Sequence, residues 1–174
     1  MGEKIRVMLP EEEITRRIEE LGRQISEDFK GEDVFLVCVL RGACFFACDL
    51  AKRISVPVTI DFIETSSYGS GTVSTGEVRI GKDIELPIKG RNVIIVEDII
   101  DSGHTLSALT RLFSSRQAKS VTLCTLLDKP DRREVEVEVD YVGFTIPDEF
   151  VVGYGLDYDQ KYRNLPYIGV VSEE

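Results

Sequence analysis

Two adjacent acids and a run of small polar residues follow one apolar segment of the chain. The segment VIIVEDIIDSGHTL (93–106) carries Glu97 and Asp98, and then residues 101–105. Hydroxyl groups, a glycine and free backbone N–H groups at the start of a helix form an anion-binding site, which the helix dipole strengthens. The two carboxylates beside it suit the two hydroxyls of a ribose. This spacing predicts a sugar phosphate as ligand, with the alternative that Asp101 or Ser102 only caps the helix.

The acidic strand end also has the character of the magnesium-binding strand of P-loop NTPases. Those proteins bind phosphate through a GxxxxGK[ST] loop, and the sequence contains no such motif. A nucleoside triphosphate is therefore a poorer match than a sugar phosphate.

Apolar strands that alternate with helices must position these residues. After Pro10 and three glutamates, apolar residues recur at helical spacing up to Phe29, and Gly31 ends the predicted helix. Further apolar runs predict helices at 43–54 and 104–116 and strands at 34–40, 56–64, 92–97, 120–127, 141–146, 150–155 and 167–171. This order predicts an α/β fold with a central, mainly parallel twisted sheet flanked by helices, and a small subdomain formed from the chain ends. Ligands of such sheets bind at the carboxyl ends of the strands.

Composition limits the class of protein. The chain has 174 residues, which suits a single domain (1–174), and a net charge of −10, which disfavours binding to the nucleic-acid backbone. No apolar run reaches the roughly 18–20 residues of a membrane span, and the first residues do not form a signal peptide. We therefore expect a cytoplasmic protein without nucleic-acid or membrane partners. The four cysteines allow two disulfides, but we expect core thiols because Cys38 and Cys124 lie in apolar runs.

Taken together, these motifs resemble those of the type I phosphoribosyltransferases, most closely the hypoxanthine-guanine branch. The resemblance is carried by EDIIDSGHT (97–105), LLDK ending at Lys129, and DYVGFTIPDEFVVGYGLDYDQKYRNLP (140–166). LRG (40–42) and SSYGSGTVSTG (66–76) extend it over nearly the whole chain. It implies a purine salvage enzyme that transfers ribose 5-phosphate from phosphoribosyl pyrophosphate to a 6-oxopurine, hypoxanthine or guanine, giving IMP or GMP and pyrophosphate. It also implies Mg²⁺ as cofactor and a homodimer or homotetramer.

The resemblance further implies a role for each residue of the site. Glu97 and Asp98 would hold the ribose hydroxyls and, with Asp157, the Mg²⁺ ion. The residues implied for the 5-phosphate are Asp101, Ser102, Gly103, His104 and Thr105. Those implied for the purine pocket are Lys129, Phe150, Val151 and Asp157, and those for pyrophosphate are Arg41, Gly42 and Arg163. Asp101 would be the catalytic group, acting on the purine N7 as a general base or as an electrostatic partner.

Several of these residues also have an ordinary structural interpretation. Lys129 precedes a Pro-Asp turn and could be a solvated lysine, while Phe150 in an apolar strand could belong to the core. Asp157 and Arg163 could be surface residues. His104 is the only histidine, yet backbone amides can bind a phosphate without help from its ring.

Residues 65–78 predict a mobile loop, because ten of these fourteen positions are Ser, Thr or Gly. Ser67 and Tyr68 resemble the flap that closes over the reaction centre in the family and excludes water. The alternative is a passive surface connection.

Two rival functions stay open at this point. One is an enzyme of the same family that prefers xanthine, and the other is an RNA-binding regulator on the same fold, as in the pyrimidine attenuation proteins. The net charge of −10 argues against the regulator, since no basic stripe is visible. The purine-type residues Lys129, Phe150 and Val151 argue against it as well.

Overall fold

The computed structural model describes residues 2–67 and 77–172. Its helices are α1 (Glu11–Asp28), α2 (Cys44–Ala51) and α3 (His104–Ser115), and a short 3₁₀ turn covers Pro130–Arg132. Its strands are β1 (Lys4–Leu9), β2 (Val34–Leu40), β3 (Val58–Ser67), β4 (Val78–Lys82), β5 (Asn92–Ile100), β6 (Ser120–Asp128), β7 (Tyr141–Thr145), β8 (Val151–Val152) and β9 (Ile168–Ser172).

Six strands form the central sheet in the order β4-β3-β2-β5-β6-β7. The strands β3, β2, β5, β6 and β7 pair in parallel. In this sheet β4 alone is antiparallel, and it lies on the edge beside β3. This arrangement confirms the predicted mainly parallel α/β fold. It also brings the carboxyl ends of β2, β5 and β6 to one edge of the sheet, where the sequence analysis expects the ligand.

Strand β2 explains why its apolar run has almost no polar interruption. Its residues alternate between two hydrophobic clusters, one on each face of the sheet. Leu36 faces the cluster that contains residues of α1 and α2, while Phe35 faces the cluster built around α3. Both side chains are completely buried, and each such burial stabilises the fold by roughly 1.5–3 kcal/mol. Packing on both faces fixes the central strands, and hence the positions of their ends.

The two ends of the chain form a second, three-stranded antiparallel sheet in the order β1-β9-β8. This confirms the subdomain predicted from the chain ends. Strand β1 itself was not predicted, because KIRVML is short and its apolar pattern is weak. Three of its six residues are exposed, two are partly buried and one, Leu9, is buried. Pairing with β9, from Lys4 opposite Ser172 onward, is what makes this segment a strand.

The segment predicted as a loop at 65–78 is partly strand. Residues 65–67 extend β3, and Val78 begins β4, because these residues pair with one another in an antiparallel ladder that the loop composition did not reveal. Residues 68–76 lie outside the described part of the chain. The predicted strand at 150–155 is also shorter than expected, since Gly153 and Gly155 take φ values of +98° and +100° and end the extended backbone after Val152.

The cysteine prediction is confirmed, because all four cysteines are free thiols and Cys38 and Cys124 are buried. Among the described residues, no helix combines the length and the apolar character needed to cross a membrane.

Candidate active site

A cavity of about 300 Å³ lies at the carboxyl ends of β2 and β5. Its walls bring together residues that are far apart in the sequence. They are Val39, Leu40, Gly42, Thr65 and all residues from 97 to 106 except His104. Since parallel strands end at the same edge of a sheet, the cavity follows directly from the strand order. It joins the predicted acidic pair, the predicted phosphate loop and the glycine that follows β2.

Glu97 and Asp98 lie at the base of this cavity, where the extended backbone of β5 carries them. The Glu97 side chain is buried, with 8% exposed. Burial and then the charge of Asp98 raise the pKa of Glu97 well above its usual range, and burial raises the pKa of Asp98 as well. The backbone N–H group of Asp98 donates a hydrogen bond to Oε1 of Glu97 at 3.2 Å. Burial therefore makes two full negative charges on this pair unfavourable in the free protein.

Gly42 packs directly against this carboxylate pair. A Cβ atom at position 42 would lie 1.7 Å from Oδ2 of Asp98, so any side chain there would displace the Asp98 carboxylate. The Gly42 carbonyl oxygen in turn would lie 2.1 Å from a Cβ at Gly155, which belongs to the loop after β8. The loop after β2, the end of β5 and the loop after β8 thus pack against one another, and two of these three segments make the contact through a glycine.

The predicted phosphate loop joins β5 to α3, which begins at His104. Gly103 adopts φ +90°, and a Cβ there would lie 2.7 Å from Val137. The Ser102 carbonyl accepts hydrogen bonds from the backbone N–H groups of Glu134 and Val135, at 2.9 and 3.1 Å. The segment after β6 therefore packs against the loop and fixes its backbone. Apart from the His104 N–H group, which makes a long contact with Ser102 Oγ, the first N–H groups of α3 are uncapped by any described side chain and can bind an anion.

The capping alternative is wrong for Asp101. Gly103 occupies the cap position, and no side chain of the described residues caps α3. Ser102 Oγ accepts only a long contact, 3.4 Å, from the His104 N–H group. Asp101 is exposed at the start of the loop, where it is available to a ligand.

The His104 ring pairs with a residue that the sequence analysis did not foresee. Its Nε2 lies 2.7 Å from Oε2 of Glu134, thirty residues further along the chain. The segment REVEVEV (133–139) alternates like a strand but forms none in the structure. Because the contact depends on how this irregular segment folds back onto the phosphate loop, no local pattern could have indicated it.

Lys129 is not a solvated surface lysine. Only 8% of the residue is exposed, and its backbone N–H donates to the Ile100 carbonyl at 3.0 Å, beside the phosphate loop. Its ammonium lies 3.9 Å from Oδ1 of Asp148, a second residue that the sequence analysis missed. Asp148 also lies 3.4 Å from Arg132 and precedes Phe150 by two residues. A carboxylate thus holds the buried amine at the end of β6.

Phe150 does not belong to the core, because 52% of it is exposed. Its ring meets the edge of Tyr158, with ring centroids 5.6 Å apart. The next residue, Val151, is buried in β8 opposite Val170. An exposed ring next to a buried strand residue offers a flat apolar face to a ligand.

Asp157 and Arg163 are partly buried and in contact with each other. Arg163 donates to the Gly155 carbonyl at 2.7 Å and lies 3.4 Å from Oδ1 of Asp157. Its positive charge also lowers the pKa of Asp98, against the larger effect of burial. The surface alternative is therefore wrong for both, and Arg163 lies close enough to Asp98 to favour its ionised form.

The predicted metal ligands Glu97, Asp98 and Asp157 do not form a closed site. Within residues 2–67 and 77–172, no three His, Cys, Asp or Glu side chains lie close enough to hold a metal ion. The chemistry of the acidic pair nevertheless fits Mg²⁺, which commonly binds through one or two carboxylates and takes its other ligands from water and substrate phosphates. A divalent cation would also relieve the repulsion between these two buried acids.

The predicted flap residues are described only in part. Ser67 ends β3, with its backbone paired to Val78, and Tyr68 lies outside the described residues. Their role stays a prediction from the sequence.

Comparisons with known proteins agree with this geometry. The chain is 55% identical over 173 residues to the hypoxanthine phosphoribosyltransferase of Salmonella typhimurium, an alignment that covers 98% of this chain and 97% of that protein. It is 51% identical to the hypoxanthine-guanine phosphoribosyltransferase of Streptococcus thermophilus, with 97% and 94% covered. A crystal structure of a hypoxanthine-guanine phosphoribosyltransferase from Bacillus anthracis, with a HEPES molecule in its active site, superimposes with a TM-score of 0.94. Its sequence is 50% identical, and the match covers 97% of this chain and all of that one.

Residues 8–159 match the family model for the phosphoribosyl transferase domain. This range contains every predicted site residue except Arg163. The chain belongs to the phosphoribosyltransferase family.

Proposed function

We propose that the protein transfers ribose 5-phosphate from phosphoribosyl pyrophosphate to hypoxanthine or guanine and releases pyrophosphate, as an enzyme of purine salvage. One observation carries this proposal: an acidic pair, a helix-start anion site and a glycine loop line a single cavity. These three parts correspond to the diol, the 5-phosphate and the pyrophosphate of that substrate. The names of the similar proteins support a purine as the acceptor.

The sugar phosphate would be held before the reaction begins. The carboxylates of Glu97 and Asp98 would accept hydrogen bonds from the two ribose hydroxyls. The backbone N–H groups of residues 102–105 and the dipole of α3 would bind the 5-phosphate. Departure of pyrophosphate leaves positive charge on C1, so fixing the ribose at both ends keeps C1 in reach of the purine.

We propose Mg²⁺ as cofactor, held by Glu97, Asp98 and Asp157 together with the substrate. When bound, the ion would supply positive charge that neutralises the leaving pyrophosphate. The chain adds positive charge of its own through Arg41 and Arg163, while the Gly42 backbone allows the leaving group to come close.

The purine would lie between Phe150 and the end of β6. Lys129 would donate a hydrogen bond to the 6-oxo group, which adenine replaces with a 6-amino group that cannot accept it. Phe150 would stack on the ring, and the Val151 backbone would contact its edge. Asp101 would face N7 and take its proton or stabilise its partial charge.

The rivals differ from this proposal in measurable ways. A preference for xanthine stays open, because no side chain of the site is assigned to the purine 2-position. The RNA-binding regulator is disfavoured by the net charge of −10 and by the names of the relatives. A cytoplasmic location, one domain over 1–174 and a homodimer or homotetramer also remain proposals.

The substrate proposal is tested with the purified protein, Mg²⁺ and phosphoribosyl pyrophosphate. Hypoxanthine and guanine should be converted to their nucleoside monophosphates, and adenine should not, as chromatography of the products will show. The rate with xanthine, measured in the same way, decides between the proposal and its closest rival. Comparable turnover of adenine would contradict the role given to Lys129.

The purine contact is tested with Lys129→Gln, which removes the charge but keeps a polar side chain. We expect the KM for hypoxanthine to rise about tenfold or more, since a hydrogen bond from a charged donor is lost, with little change in the KM for phosphoribosyl pyrophosphate. Asp148→Asn should shift the same KM by a smaller factor, because it only positions the amine. Glu149→Gln is the matched control, since Glu149 pairs with Arg6 on the surface. Equal effects of Asp148→Asn and Glu149→Gln would remove Asp148 from the purine pocket.

The catalytic role of Asp101 is tested with Asp101→Asn, which preserves the size of the side chain. Turnover at saturating substrates should fall by roughly 10²–10⁴ because the group that acts on N7 loses its basicity. Binding of IMP, measured by titration calorimetry, should change little. Full turnover in the variant would show that Asp101 takes no part in the chemistry.

The buried acidic pair predicts a pH-dependent effect on stability. Because the pKa of Glu97 is raised in the folded protein, ionisation of the pair lowers the free energy of unfolding as the pH rises from the unfolded pKa to the raised folded pKa. Glu97→Gln removes this penalty, so it should stabilise the free protein by about 1 kcal/mol or more at pH 8, with a smaller gain at pH 5. Thermal unfolding at both pH values measures this.

The control for this prediction is Glu12→Gln, an exposed position in the first turn of α1. It should give no stabilisation at either pH. The Glu97→Gln protein should also have lost most of its activity, since stability and substrate binding make opposite demands on the pair. Destabilisation by Glu97→Gln at pH 8 would show that the pair is not strained in the free protein.

A further inference from the structure

Gln160 joins two arginines that come from distant parts of the chain. Its Oε1 accepts a hydrogen bond from Arg41 at 3.3 Å and another from Arg163 at 3.1 Å. Arg41 directly follows β2, while Arg163 lies in the loop between β8 and β9. One neutral oxygen atom therefore brings two guanidinium groups of like charge to the same place.

Of these two arginines, only Arg163 has an ion-pair partner among the described residues. Arg163 has Asp157 as an ion-pair partner at 3.4 Å. Arg41 forms no ion pair within the described ranges, and its contact there is the Gln160 amide oxygen. An amide oxygen accepts hydrogen bonds but does not cancel a charge. Two close cations that keep their charge favour an anion with several negative oxygens.

The loop that carries Gln160 is held in a demanding conformation. Gln160 has φ +66°, and Asp159 and Tyr162 have φ +50° and +76°. Non-glycine residues adopt such values rarely, and they persist where surrounding contacts fix them. The Gln160 N–H donates to Oδ2 of Asp157 at 2.9 Å, and Tyr158 and Lys161 exchange backbone hydrogen bonds. The side chain is thus presented by a backbone that cannot relax without losing these bonds.

We propose that Gln160 is a positioning residue for the pyrophosphate group. It holds Arg41 and Arg163 in one arrangement while leaving both charges available to the leaving group. The inference rests on the proposed function, because pyrophosphate is the polyanion that the transfer reaction releases. The neutral acceptor at position 160 sets the affinity for pyrophosphate, and it does not affect the affinity for the purine or the 5-phosphate.

The test is Gln160→Met, which keeps the length of the side chain and removes the acceptor. We expect the KM for phosphoribosyl pyrophosphate and the Kd for pyrophosphate with Mg²⁺ to rise about three- to tenfold, as for the loss of hydrogen bonds near solvent. The KM for hypoxanthine and the Kd for IMP should stay within twofold of the wild type, because neither ligand reaches the arginines. Kinetics and titration calorimetry measure these four constants.

Two further variants separate positioning from a loosened loop. Tyr162 lies in the same loop as Gln160, and its hydroxyl donates a hydrogen bond to Glu3. Tyr162→Phe removes this bond without changing the contacts of the arginines, so it should leave all four constants unchanged. Gln160→Asn tolerates positive φ but is one methylene shorter, so it should weaken pyrophosphate binding as Gln160→Met does. It also supplies the measurement if Gln160→Met folds poorly.

The outcomes distinguish this inference from the function on which it rests. Wild-type protein that forms no nucleoside monophosphate would overturn the proposed function. Wild-type activity together with unchanged pyrophosphate affinity in both Gln160 variants would overturn the role of Gln160 alone. Parallel weakening of IMP and pyrophosphate binding would also overturn it, since that pattern indicates a general loss of structure.

Discussion

The close contact between Gly42 and Asp98 is the constraint on which the rest of the site depends. The distance of 1.7 Å from a hypothetical Cβ at Gly42 to the Asp98 carboxylate means that the loop after β2 touches the end of β5. Because the Gly42 carbonyl also packs on Gly155, the loop after β8 is brought to the same point. Arg41 and Arg163, the flanking cations, meet as a result. A side chain at Gly155 would clash with the Gly42 backbone and push these two loops apart, and one at Gly42 would displace the Asp98 carboxylate.

This contact is possible only because the surrounding sheet is rigid. The acidic pair is itself unfavourable in the free protein, since burial raises the pKa of both carboxyls. The apolar residues of β2 and β5, packed on both faces, supply the stability that holds two buried acids beside each other. Binding of the ribose or of a cation, as proposed, would relieve the repulsion. The site would therefore gain binding energy from a feature that destabilises the free protein.

The sequence predicted correctly those elements and site residues whose placement depends on neighbouring residues in the chain. The apolar run of β2 and the EDIIDSGHT motif predicted a buried strand, an acidic pair and a helix start, because each depends on neighbouring residues. Strand β1 could not be predicted, since its strand character comes from pairing with β9 at the other end of the chain. Glu134, Asp148 and Gln160 could not be found either, because each contacts a residue between 19 and 119 positions away.

Burial shows the same limit in a different way. From sequence alone, Lys129 suited a solvated turn and Phe150 suited an apolar strand in the core. The structure reverses both, with Lys129 buried and Phe150 exposed. The reason is that exposure depends on which other segments cover a residue. Lys129 is covered because its backbone bonds to Ile100, at the end of the neighbouring β5. Phe150 lies just before β8, where its ring contacts Tyr158 and keeps 52% exposure.

The residues of the candidate site are divided between the central sheet and the small sheet. The central sheet carries the acidic pair and the phosphate loop, which would hold the sugar phosphate shared by every acceptor. The small sheet formed by the chain ends carries Phe150, Val151 and the loop of Asp157, Gln160 and Arg163. Part of the base recognition and part of the leaving-group contact would thus rest on an element outside the central sheet. Its residues Val151, Ile168 and Val170 join the hydrophobic cluster on one face of that sheet. Substitutions in that element can therefore change the acceptor or the pyrophosphate affinity while the sugar phosphate site stays intact.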